Sequence, residues 1–162
     1  MRKRSKYRPK PVATDPMKLA ISNAAAFTDS ERSLVEPAIR EALEALRTGR
    51  LDRFYWKSLA DMINVSEGLM RNGIGTGLEA HRCIEAASIA LAAIGRRMPQ
   101  TSTARSDELE AIRLAADLHR LQLAHCSNRE YKQAVEWVRR RVSAALRGDL
   151  NAHVVQVEEA AA

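Results

Sequence analysis

Aromatic residues are scarce in this chain, at 4% of 162 positions, while alanine and leucine are abundant. That balance argues against a sheet built on Val, Ile and Tyr and favours helices packed through aliphatic side chains. Cysteine is nearly absent too. Cys83 and Cys126 alone form no disulfide framework, and they suit a reducing compartment. No long apolar run occurs: AASIALAAIG at 86–95 is half of the roughly 20 residues a bilayer span needs. The basic start lacks the apolar stretch of a signal peptide, so a cytoplasmic chain without a membrane partner is expected. No repeat with a period of 20–50 residues is visible.

The last absence is local. MRKRSKYRPKPV, the first twelve residues, contains no acid and six bases: Arg2, Lys3, Arg4, Lys6, Arg8 and Lys10. Setting those six aside leaves 20 of the 26 basic residues, matched by 20 acidic ones. The net charge of +6 therefore belongs to the arm, and the rest of the chain is formally neutral. A nucleic-acid-binding domain usually carries a basic face on its folded part as well, so neutrality there weighs somewhat against one.

What is present reads as helix. A composition of 46% apolar and 28% charged residues is that of one folded domain. Residues 1–14, with Pro9 and Pro11, form an extended arm; a helical domain covers 15–148, and 149–162 is a loosely ordered tail in which VVQV at 154–157 has strand character. Asp15-Pro16 starts a short helix through MKLAISNAAAF. Thr28 and Glu31 have capping-box spacing ahead of the stripe Leu34, Ala38, Ala42 and Leu46, with Pro37 either kinking that helix or marking where its regular part begins. Further helices cover 51–70, 78–95, 107–126 behind a Ser106 cap, and the span from a Ser127/Glu130 capping box to Leu146. Arg139, Arg140 and Arg141 fall in the second half of the last one, complementing its dipole. The expected fold is all-α, a compact bundle of five to six helices with a basic N-terminal arm.

Catalytic chemistry finds little footing. His81 and Cys83 are two residues apart, on different faces of a helix, and His125 and Cys126 are adjacent. No Glu lies three residues before a histidine, which excludes the di-iron bundle pattern. His119, on the apolar stripe of its helix, reads as a hydrogen-bonded core residue. The glycines of NGIGTG at 72–77 miss the dinucleotide-binding spacing and read as a flexible helix connection. No catalytic residue, metal site or cofactor is expected, and the chain is read as a binding protein, not an enzyme.

Three features bear on binding. SLADMINVSEGLMR at 58–71 is similar to a helix-turn-helix core, with Ala60 at the crossing and Val65 after the turn. The glycines downstream erode a recognition helix, so an ordinary helix break near 64–66 is the favoured reading. The arm supplies phosphate contacts through its six cations, and Tyr7 supplies a ring on which a base can stack. Phe54, Tyr55 and Trp56 cluster as an apolar patch suited to a protein partner or to self-association as a homo-oligomer.

RKRSKYRPKPV, SLADMINVSEGLM and ELEAIRLAADLHRLQLAHCSNREYKQAVEWV together resemble, in order and spacing, a group of small basic proteins encoded by bacteriophages and prophages. The resemblance implies a phage setting in the bacterial cytoplasm and carries over no catalytic residue. The expected function is that of a phage accessory protein binding nucleic acid or a host nucleoprotein complex through its arm, with the helical body as a protein-interaction surface. The alternative is an inhibitor of a host defence system, anti-CRISPR-like in acting by protein–protein binding.

Overall fold

A computed structural model describes residues 25–98 and 100–148. Among them are five helices and no strand: α1 Asp29–Arg47, α2 Arg53–Arg71, α3 Leu78–Arg97, α4 Ser106–His125 and α5 Asn128–Leu146. The all-helical expectation holds. The basic arm, most of the short helix expected over 17–27, and the tail lie outside the described residues.

The end of that short helix is described, and it is not helical. Ala26 forms an isolated antiparallel bridge with Ser127. The Phe27 N–H donates to the Cys126 carbonyl at 3.0 Å, and the Asn128 N–H to the Ala25 carbonyl at 2.9 Å. Extended backbone is needed here because Thr28 is the N-cap of α1. It also places the Phe27 ring against Tyr131, with centroids 4.5 Å apart.

Both expected capping boxes form. The Glu31 N–H donates to Thr28 Oγ1 while the Thr28 N–H donates to Glu31 Oε2, at 3.3 and 2.8 Å. Ser127 and Glu130 repeat the exchange at 3.3 and 2.7 Å. The α1 helix runs through Pro37 without interruption. Ser33, whose carbonyl the proline ring deprives of its partner, is exposed. At α4 the expected cap moves by one residue. Arg105 is the N-cap and Ser106 the first helical residue. Glu108 sets that boundary: it accepts the Arg105 N–H at 2.8 Å and a two-pronged ion pair from Arg97 at 2.6 and 2.9 Å, tying the end of α3 to the start of α4.

The α2 helix is the centre of the bundle, packing against all four others. One apolar cluster joins it to α1, α3 and α4 through Leu46, Leu59, Ile63, Leu91, Ile94 and Ile112, all at most 1% exposed. A second, smaller cluster joins it to α5 through Val65, Leu69, Leu123, Ala134 and Val138. Helix α5 sits close because residue 68 is glycine. A Cβ there would lie 3.0 Å from the Ala134 Cβ and 3.1 Å from the Ala134 carbonyl oxygen.

Neither reading of residues 58–71 survives. They form one continuous helix with no break and no turn, so the helix-turn-helix is absent. The polar residues that suggested a break are held by tertiary partners instead. The Ser66 hydroxyl bonds the His119 Nδ1 at 2.8 Å, and the Ser66 carbonyl accepts from Gln122 Nε2 at 3.2 Å. Helix α2 ends at the glycine-rich segment, where Gly73 at φ 88° allows the Ile74 N–H to reach the Leu69 carbonyl at 3.0 Å. The Ile74 carbonyl in turn accepts from Gln122 at 3.0 Å, so this connection is anchored to α4.

Candidate nucleic-acid interface

The residues singled out for binding are scattered. Arg2, Lys3, Arg4, Lys6, Tyr7, Arg8 and Lys10 lie outside the described residues. The aromatic trio is divided by helical geometry. Phe54 is 69% exposed, Tyr55 is half-buried, and Trp56 is 2% exposed with its indole N–H donating to the Leu91 carbonyl at 3.0 Å. Phe54 and Tyr55 still meet edge to face, with ring centroids 5.6 Å apart, while Trp56 turns into the core. Trp56 is therefore a core residue and not part of an interaction surface.

The titratable groups inside the body serve packing. His119 is buried against Ser66, and burial holds its pKa down to about 4, so the ring is neutral at pH 7. Burial also pushes the Cys126 thiol up, with Glu130 adding to the effect, and burial alone raises Cys83. Both shifts run opposite to that of an activated thiolate. Among the described residues, no group of three His, Cys, Asp or Glu side chains is placed to hold a metal ion.

The charged surface is where the structure departs from the balanced count. On α1 to α4, several exposed cations pair with acids one turn away: Arg47 with Glu44, Lys57 with Asp61, Arg82 with Glu79 and Arg120 with Asp117. Arg40, Arg96 and Arg113 make no ion pair among the described residues. The outer face of α5 gathers five such cations. Arg129, Lys132, Arg139, Arg140 and Arg147 are all exposed, and none of the five makes an ion pair among the described residues. At 100° per residue they share an arc of about 100° and extend over about 27 Å. The opposite arc holds the buried Ala134 and Val138. One acid, Glu136, interrupts the row.

At one edge of this face sits Trp137, partly buried. The guanidinium carbons of Arg71 and Arg141 lie 4.7 and 4.5 Å from its ring centroid. Glu67 holds both arginines, Arg141 at 3.4 Å and Arg71 at 3.8 Å. The indole thus joins α2 to α5 through cation–π contacts and gives the cationic face a rigid border.

This face is hard to see in the sequence because its cations are dispersed along 129–147 and only Arg139 and Arg140 are adjacent. The helical period brings those two together with Arg129, Lys132 and Arg147, while Arg141 turns toward Trp137. Comparison with protein-family models, with curated proteins and with solved structures gives no match. What fold and surface define is a class: an all-helical body with a sorted cationic helix face.

Proposed function

We propose that this chain acts without a cofactor as a polyanion-binding protein, engaging nucleic acid or a nucleoprotein through the α5 face together with the basic arm, Arg2 to Lys10. The observation that carries this reading is the row of five exposed cations with no ion pair. The helix dipole accounts for part of it only. Arg147 caps the C-terminal end, where positive charge is favoured. Arg129 and Lys132 sit in the first turns, where the dipole opposes them and the nearby carboxylates of Glu130 and Glu31 partly offset it. Lys/Arg contacts to phosphates release counterions, giving strongly salt-dependent association with little sequence preference. The phage or prophage setting and the bacterial cytoplasm enter this reading through the sequence resemblance.

Binding of a 30-base-pair duplex across a salt series tests it. Replacing Arg139, Arg140 and Arg147 with Gln should flatten the slope of log K against log salt by about 2.7, at roughly 0.9 per phosphate contact. Deleting residues 1–12 should flatten it further. An unchanged slope in both variants overturns the reading. A nuclease-resistant stoichiometric protein partner from host lysate, with no duplex binding, favours the defence-inhibitor alternative.

A further inference from the structure

A groove of about 760 Å³ lies between the second half of α1, the start of α2 and the first half of α4, apart from the α5 face. Its base is the outer layer of the larger core: Leu43, Tyr55 and Leu109, half-buried against that core, with the buried Ala45 beside them. Its rim is charged. Glu44 neutralises Arg47 through two bonds of 2.6 and 2.8 Å. Arg40, Arg50 and Arg113 are exposed, line the same groove, and form no ion pair among the described residues. Against those three the groove offers a single further carboxylate, Glu41.

We infer that this groove is a binding site for a small anionic amphipath, a molecule with an apolar body and one carboxylate or phosphate head. The volume falls within the 300–1,000 Å³ of ordinary ligand pockets, and an apolar base with a few convergent polar groups is their usual lining. Guanidinium groups match the two-oxygen edge of carboxylate and phosphate. The body must be plain hydrocarbon. Apart from the Tyr55 hydroxyl, the base has no side-chain donor or acceptor, so a nucleobase would leave its polar edge unpaired. A ligand of this kind covers Leu43 and Leu109 and supplies the anion that the rim lacks.

Titration calorimetry of the full chain with decanoate and with decyl phosphate, both below their micelle concentrations, tests the site. Decanol and inorganic phosphate serve as the two half-ligands. Saturable one-to-one binding of either amphipath is expected, with each half-ligand at least about tenfold weaker. The tighter head identifies the source, carboxylate or phosphate. Combining Arg40→Gln with Arg113→Gln should weaken binding about tenfold or more. Both side chains are exposed, so the fold should be kept, as circular dichroism will show. Arg139→Gln with Arg140→Gln, on the α5 face, should leave it unchanged. Binding equal in the two double variants, decanol as tight as decanoate, or no saturable binding of either amphipath overturns the inference. An acidic amphipathic peptide that outcompetes both amphipaths also overturns it, in favour of a protein partner.

Discussion

Helices α2 and α5 are both 19 residues long, and each carries one tryptophan, yet they face opposite conditions. In α2, eleven residues are buried, including Asn64 and Ser66, while Arg53, Phe54, Lys57 and Asp61 of its first half stay exposed. In α5 only Ala134 and Val138 are buried, and the remaining surface is largely charge and solvent. Trp56 of α2 is enclosed, while Trp137 of α5 lies under two guanidinium groups at an edge. A helix buried over most of its length has little face left for a partner. One attached by a narrow apolar stripe can change its outer residues freely. In this bundle α2 is the most enclosed helix, and α5 is attached by two buried residues.

The sharpest way to break that contrast is to truncate each tryptophan. Trp56→Ala should cost about 4 kcal/mol in chemical denaturation, through lost burial and the cavity left behind. Trp137→Ala should cost about 1 kcal/mol, the scale of cation–π contacts at a partly exposed site. Equal losses would show that α5 contributes to the core as fully as α2.

Acid acts next, through His119 at the α2–α4 contact. The unfolded chain takes up this proton near the ordinary value of 6.5, whereas the folded state resists until about pH 4. Between those values the unfolded state binds more protons. This contribution is therefore complete above pH 6.5 and falls by about 3 kcal/mol as the pH drops to 4. Denaturation midpoints at pH 7 and 4.5 should converge in His119→Gln relative to the parent. The same acid loss in both proteins would assign the effect to carboxylates.

Gly68→Ala is smaller and local. The new methyl group presses on the Ala134 backbone, and overpacking of this kind costs about 1–2 kcal/mol. Amide hydrogen exchange should quicken in α5 while α3 and its contacts with α4 keep their protection. The smallest expected change in stability, within about 0.5 kcal/mol, is that of Arg139, Arg140 and Arg147 replaced together by Gln. A triple variant that melts early would make the α5 face structural.

What was legible from the sequence is what is encoded locally. The Thr28/Glu31 and Ser127/Glu130 caps depend on residues three apart, and both formed. His119 was legible as a core residue from its place on an apolar stripe. The continuity of α2 was not, because Asn64-Val65-Ser66 looks like a break until His119 and Gln122, more than 50 residues away, supply its partners. Trp56 was misplaced because adjacency in the sequence does not show which of three neighbouring aromatic residues turns into the core. The cationic face was obscured by summation. A body that is neutral in total can still gather five unpaired cations on one helix face.

The bridge between Ala26 and Ser127 has a consequence for avidity. It pins the chain at Ala25, one hydrogen bond from Asn128 and beside the first cation of the α5 row. Residues 1–24 join the body at that point, so on the proposed reading an anion held by one set of cations meets the other within the same molecule, and the second contact becomes intramolecular. On the proposed reading, two individually weak contacts then bind as one bivalent unit. Cutting the chain after Ala25 should weaken binding far more than the isolated arm peptide's own affinity would account for.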